Sequence, residues 1–313
     1  MQNLSMLPMT QIIELLENEI ATLQAREIFS FTILNPDLFS ATYSGKRVTI
    51  DNKEYIYRSY KSWFDLAHLV GCRIKTPQST DSEAFLLLSY EKLNKDVSFH
   101  TLETSKEEKY GSNSIFSEID KNEESAFLYY YRQALKNVTL QKRSKILNLG
   151  VNSGDEFKAI EAVAENFHAL ELTGVDYCAS AIATAKKHYK EYENIMFMQE
   201  DINELVKSPQ EQYDLIISIG TLQSSNLEFN KLLMSIVQNL LKKDGAIILG
   251  FPNCRWIDGE MVYGARVKNY PFSEMGLLYK DAIFAKKYLQ QKKFRVTLTG
   301  KDYIFLTATS IRK

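Results

Sequence analysis

Several short stretches of this chain place reactive or ligand-binding residue types just after apolar runs. The first is Asn148-Leu149-Gly150-Val151-Asn152-Ser153-Gly154-Asp155, at the end of the run KILNL. Gly150 and Gly154 let a backbone turn tightly and approach a ligand, and a helix opening there adds unpaired N–H groups. Asp176 ends a second run, LTGVD, where a carboxylate can accept from both hydroxyls of a ribose; a plain turn residue is the alternative to that reading. Asp201 and Ile202 end a third run, and Ser218-Ile219-Gly220 a fourth, with Gln223 close behind. A fifth run, AIILGF, leads into Asn253, Arg255, Trp256 and Tyr263. Tyr177, beside Asp176, is placed to stack on a flat ring. The four histidines are scattered, and Cys72, Cys178 and Cys254 form no CxxC pair. No metal-ligand cluster is therefore expected, and the thiols read as reduced and intracellular.

The elements that must position these residues follow from periodicity. Helical spacing over residues 9–25, with Thr10 as the expected N-cap, precedes short β-like segments FSFTIL, FSATYS, KRVTID and EYIYRSY. A short helix ending near Gly71 and a strand EAFLLLSYEKL complete a small α+β domain over residues 1–95. Residues 96–120 are polar and aperiodic, a linker in which Tyr110 could serve as a lid. From residue 121 to 313 a helix is followed by strands alternating with helices, which implies right-handed crossovers and an α/β parallel sheet. The last two strands, FRVTLTG and YIFLTATSI, are separated only by Lys301 and Asp302, so they must form an antiparallel hairpin. In such a sheet ligands bind beyond the carboxyl ends of the strands, where every stretch named above falls.

Over residues 125–313 the chain resembles the class I S-adenosylmethionine-dependent methyltransferases. The resemblance rests on the glycine-bearing first loop, the acid in LTGVDYCASAIATAKK, the acid in FMQEDINEL, the segment YDLIISIGTLQSS and the turn into LLKKDGAIILGF, in that order. It implies a seven-stranded Rossmann-like sheet, mostly parallel with an antiparallel terminal hairpin, and S-adenosylmethionine as cofactor. Carried over residue by residue, it implies that Asn148, Gly150, Asn152, Gly154, Asp155, Asp176, Tyr177, Asp201, Ile202, Ser218 and Gly220 surround that cofactor. In the family's pattern the first loop carries an acid at position 148 and a glycine at position 152; this chain has asparagine at both. Asparagine tolerates positive φ, so Asn152 can keep the turn. Asn148 cannot neutralise an ammonium group. Asp155 could supply that charge, or could simply sit favourably at a helix N-terminus. Asp201 matches the acid that contacts the adenine amino group; a plain N-cap is the alternative. A dinucleotide fingerprint is absent, since positions 150, 152 and 155 read Gly, Asn and Asp where three glycines are needed.

The acceptor is bounded less tightly. The net charge is −1, hydrophobic residues make up 45% and charged residues 25% of 313 residues, which excludes a chain that is basic throughout. No apolar stretch approaches a membrane span, and a cytoplasmic location is expected. Ser218-Ile219-Gly220 replaces the Asn-Pro-Pro-aromatic sequence of family members that methylate base amines or glutamine. The long excursion after AIILGF, ending at Arg266, is expected to line a substrate pocket through Asn253, Arg255, Trp256 and Tyr263, with Gln223 beside it. A surface excursion packed by its own aromatic rings is the alternative. A small-molecule acceptor is the main expectation. An RNA (tRNA) acceptor is a second, because nine Lys or Arg stand against two acids from Lys280 to Lys313. A non-catalytic binding or scaffold protein that keeps the fold is a third.

Overall fold

The computed structural model describes every residue except 1, 40, 99–110, 112–113, 208–210, 225, 266–272 and 313; Tyr110 and Arg266 thus lie outside the described residues. The chain forms two compact units, Met1–Ser98 with Trp256–Val262, and Phe99–Arg255 with Tyr263–Lys313.

In the first unit the elements run α1 (Met9–Thr22), β1 (Ile28–Leu34), β2 (Arg47–Ile50), β3 (Lys53–Ile56), α2 (Tyr60–Leu69), β4 (Cys72–Ile74), β5 (Gln78–Ser79) and β6 (Phe85–Lys92). Helix α1 buries Ile12, Leu16 and Ile20, a stripe at i, i+4 and i+8. It starts at Met9 behind Pro8, whose φ of −67° pre-sets the first turn, so Thr10 lies inside the helix and does not cap it. β6 pairs antiparallel with β1, β4 and β5. Phe31, Trp63 and Tyr90 fill the core, and the Tyr90 hydroxyl donates to the Trp63 carbonyl at 2.6 Å. FSATYS forms no strand. Its start follows a 3-10 turn at Pro36–Leu38 capped by Asn35, and Ala41 at φ 56° breaks the extended path. Trp256–Val262 belongs to this unit through polar contacts. Arg73 donates to the Asp258 carbonyl (2.5 Å), to Glu260 (2.5 Å) and to Glu91 (2.8 Å), while the buried Asp258 carboxylate accepts from Arg26 (3.2 Å) and from Asn94 N (3.1 Å).

The second unit runs α3 (Ser125–Asn137), β7 (Lys145–Leu149), α4 (Asp155–Glu161), β8 (Glu171–Asp176), α5 (Ala179–His188), β9 (Ile195–Gln199), α6 (Ile202–Leu205), β10 (Tyr213–Ile219), α7 (Phe229–Ser235) and β11 (Leu241–Pro252). A hairpin of β12 (Cys254–Ile257) and β13 (Glu260–Tyr263) leaves it, and α8 (Gly276–Gln291), β14 (Phe294–Gly300) and β15 (Tyr303–Ser310) close the chain. The sheet order is β14-β15-β11-β10-β7-β8-β9. β15 alone runs opposite to the other six strands. This is the seven-stranded α/β sheet with a terminal antiparallel hairpin expected from the sequence. Strand order reverses between β7 and β10, which sets the ligand crevice beyond their carboxyl ends.

Both faces of the sheet are covered. Leu147, Leu149, Ile216, Ile247, Leu249 and Leu306 pack beneath α7 and α8, while on α3 Phe127 packs tilted against Phe305 at 5.6 Å and Tyr131 stacks on it at 5.9 Å. Buried strands read as continuous apolar runs for this reason. At the amino edge Asp214 accepts from Ser144 N (3.0 Å), Ser144 Oγ (2.7 Å), Lys145 N (2.8 Å) and Lys242 Nζ (2.8 Å), tying β10 to its two neighbours.

Candidate active site

The loop between β7 and α4 holds three residues in the left-handed region: Gly150 at φ 77°, Asn152 at φ 47° and Gly154 at φ 95°. The N–H groups of Gly150 and Val151 both donate to Val175 O, at 2.7 and 3.1 Å, which binds the loop to the end of β8. A methyl group at Gly150 would run into Thr221, and one at Gly154 into the Tyr189 ring, so neither position has room for a side chain. Asn152 stays left-handed with its own side chain accepting from Ser153 N at 2.8 Å.

Asp176 stands at the end of β8 facing this loop. One carboxylate oxygen accepts from Asn152 N and the other from Cys178 N, both at 2.9 Å. Burial raises the Asp176 pKa above its ordinary value, and the backbone N–H groups of Cys178, Asn152 and Tyr177 offset this only in part. Three N–H groups thus share the two oxygens, which leaves room for a further hydroxyl donor. Tyr177 beside it is 50% exposed. Asp201 Oδ1 accepts from Asn203 N (2.8 Å) and Asn203 Nδ2 (2.9 Å), so it caps α6, while Ile202 is buried in the core beneath. The buried Ser218 hydroxyl donates to Leu149 O at 3.1 Å and links β10 to β7. Gly220 follows at φ 75°, its N–H on Gly250 O at 2.9 Å.

The floor of the first loop is a polar cluster that sequence reasoning did not assemble. Asn148 is 1% exposed, and its Nδ2 donates to Glu156 Oε2 at 3.3 Å. The other oxygen of Glu156 lies 3.3 Å from Lys121 Nζ, and both partners are buried. Asn148 Oδ1 is buried and has no donor among the described residues. The acid against Asn148 is thus Glu156. Asp155 instead accepts from Ser153 Oγ (3.2 Å) and lies 3.6 Å from Lys158, while its carbonyl accepts from Asn122 Nδ2 at 2.8 Å. Burial works against the Lys121 ammonium, but Glu156, Tyr303 and Asp155 outweigh it and raise its pKa. Glu156 was visible as the second residue of a helix. Lys121 carried no signal, because it stands in a short turn between the polar segment and the first helix of the α/β region, with no periodicity to give it a partner.

The residues expected to meet a substrate separate into two groups. Gln223 and Asn253 follow the adjacent strands β10 and β11, and each has a buried carboxamide oxygen without a donor. Arg255 donates to Tyr263 O (3.3 Å), Gly264 O (2.8 Å) and Ser273 Oγ (2.9 Å), so its guanidinium closes the foot of the β12–β13 hairpin. Tyr263 is exposed and its hydroxyl donates to Met275 Sδ at 3.1 Å. Trp256 belongs to the first unit. Among the described residues no group of three or more His, Cys, Asp or Glu could hold a metal ion. No described helix is long and apolar enough to cross a membrane.

Comparison with known proteins bears on this edge of the sheet. The family model described as "Methyltransferase domain" matches residues 140–297, about half of the chain. No curated protein matches it. Among solved structures, the N-methyltransferase NodS from Bradyrhizobium japonicum WM9, with S-adenosyl-L-homocysteine, is 17% identical (60% of this chain, 89% of that one, TM-score 0.42). A SAM-dependent methyltransferase from Aquifex aeolicus is 15% identical (58% of this chain, 89% of that one, TM-score 0.41). Coclaurine N-methyltransferase is 20% identical over 39% of this chain, which spans only 35% of that protein (TM-score 0.34). With the strand order and the first loop already pointing the same way, the match over residues 140–297 shows that the chain belongs to the methyltransferase-domain family, within the class I S-adenosylmethionine-dependent superfamily.

Proposed function

We propose that this chain binds S-adenosylmethionine at the carboxyl edge of its seven-stranded sheet and transfers the methyl group to a small-molecule acceptor. The observation that carries this reading is the first loop, left-handed at Gly150, Asn152 and Gly154, with the Asp176 carboxylate holding Asn152 N at 2.9 Å. The residues present fit the cofactor. Asp176 would accept from the ribose hydroxyls, Tyr177 would cover the adenine, and Asp201 would contact the adenine amino group with its second oxygen. Asn148 Oδ1, buried and with no donor among the described residues, would accept from the ammonium group, and its Nδ2 on Glu156 would hold the carboxamide in that orientation.

When bound, the cofactor supplies a methyl group already activated on a sulfonium sulfur. The protein's own contribution is to hold the acceptor in line and exclude water, which can account for about 7 kcal/mol or more of the barrier. The small-molecule acceptor is favoured over RNA by the placement of the basic residues. Lys292, Lys293 and Arg312 gather where α8 enters β14 and β15 ends, with Arg312 donating to Lys292 O. That is the amino edge of the sheet, opposite the loops just described.

Calorimetry with S-adenosylmethionine and S-adenosylhomocysteine tests the reading, and absence of heat at millimolar ligand would sink it. Asp176→Ala is expected to weaken binding about tenfold or more, since charged hydrogen bonds contribute about 1.5–3 kcal/mol each.

A further inference from the structure

Four of the buried polar atoms without a hydrogen-bond partner share one chemistry: Asn122 Oδ1, Asn148 Oδ1, Gln223 Oε1 and Asn253 Oδ1 are all carboxamide oxygens. In three of them the amide nitrogen is already committed. Asn122 Nδ2 donates to Asp155 O (2.8 Å), Asn148 Nδ2 to Glu156 (3.3 Å) and Asn253 Nδ2 to Lys301 O (3.2 Å). Reversing any of these amides would set oxygen against oxygen, so the orphaned atom is an acceptor. Leaving a buried acceptor unmet costs about 1–3 kcal/mol, and a chain that keeps several at one edge of one sheet is missing a donor there.

Asn122 and Asn148 adjoin the first loop, and the cofactor reading gives Asn148 the ammonium group to meet. Gln223 and Asn253 are not. They follow β10 and β11, whose ends are held together by Gly220 N on Gly250 O at 2.9 Å. Asn253 is only 3% exposed, and its own N–H donates to the carbonyl of Asp302, a second buried residue, at 2.7 Å. A carboxamide oxygen repels a carboxylate, and a single hydroxyl hydrogen can satisfy only one of the two.

Resting on the methyltransferase reading, we infer that the acceptor is an amine whose nitrogen carries at least two hydrogens, held by Gln223 Oε1 and Asn253 Oδ1. The nitrogen lone pair forms the new N–C bond as the S–C bond breaks. Sulfur keeps that electron pair, the positive charge passes to nitrogen, and one proton leaves to solvent. The same two oxygens orient the lone pair, because the N–H bonds that they accept point away from it.

The test uses the full chain, tritiated-methyl S-adenosylmethionine and a small-molecule cell extract as acceptor, with the affinity for S-adenosylhomocysteine measured in parallel. The inference expects label in compounds retained on a cation exchanger and stable to alkali. Asn253→Leu and Gln223→Leu are each expected to lower incorporation about tenfold at limiting extract while S-adenosylhomocysteine affinity stays within about twofold. Either variant suffices if the other fails to fold. Label in alkali-labile esters or neutral ethers, unchanged incorporation in both variants, or no label while S-adenosylhomocysteine binds would each overturn the amine assignment and leave the cofactor reading standing. Absence of S-adenosylhomocysteine binding would remove both.

Discussion

Asparagine stands at position 148 where the family's pattern has an acid, and the nearest carboxylate is Glu156 on the following helix. Glu156 sits against the same carboxamide at 3.3 Å, held on its far side by Lys121 at 3.3 Å. Both ions are buried, and such a pair stabilises little by itself but costs heavily when one partner is removed. Lys121→Met alone is expected to destabilise the protein by about 3–5 kcal/mol in urea denaturation. The double variant Lys121→Met/Glu156→Gln should recover most of that loss while still binding S-adenosylhomocysteine more weakly than the wild type. Equal stability of single and double variants would mean that the two ions are not coupled. Asp176 carries a related prediction. Its pKa is raised in the fold, so cofactor affinity should begin to fall, on acidification, above the ordinary carboxylate range. Asp176→Asn should bind weakly at every pH and show no such dependence.

The parallel sheet is pinned at its amino edge by one carboxylate. Asp214 starts β10 and accepts from Ser144 and Lys145 at the head of β7 and from Lys242 of β11. Burial raises its pKa, but the Lys242 ammonium, the Ser144 hydroxyl and the two backbone N–H groups outweigh it and hold it well below the usual carboxylate range. A depressed pKa contributes stability above the unfolded value, and that contribution is lost as pH falls through the folded one. Asp214→Asn is therefore expected to cost about 2 kcal/mol at neutral pH, with the gap to wild type closing below roughly pH 4, as read from urea midpoints across pH. A gap independent of pH would locate the cost elsewhere. The element itself was legible, since β10 reads as a continuous apolar run. Its cross-strand partners were not, because Asp214 and Ser144 are 70 residues apart.

At the scale of the whole chain the two units have separate cores, one around Trp63 and Tyr90 and one around the seven-stranded sheet. Both tryptophans, Trp63 and Trp256, belong to the first unit. Tryptophan fluorescence should therefore report the unfolding of that unit, and far-UV circular dichroism both. S-adenosylhomocysteine at about a hundred times its Kd should stabilise the second unit by about 2.7 kcal/mol. The expected result is a rise in the dichroism midpoint that exceeds the rise in the fluorescence midpoint. Equal shifts would show that the units unfold as one.

Much of this protein was determined locally, and therefore by sequence alone. Strand and helix alternation, the terminal hairpin, and the loops at Gly150–Gly154, Asp176 and Asp201 all follow from period and punctuation over a few residues, which any stretch of chain carries within itself. Local pattern failed where a short segment lacked a partner: FSATYS alternates like a strand but is broken by the left-handed Ala41. Tertiary structure decided everything that depends on meeting a distant side chain. It chose Glu156 over its neighbour Asp155 as the acid beneath Asn148, because Lys121, 35 residues away, comes to the same buried spot. It placed Trp256–Val262 in the first unit, because Arg73 reaches Glu260 across 187 positions. It left Asn253 and Gln223 with acceptors and no donors, a deficit that appears only once every potential partner has been brought into place.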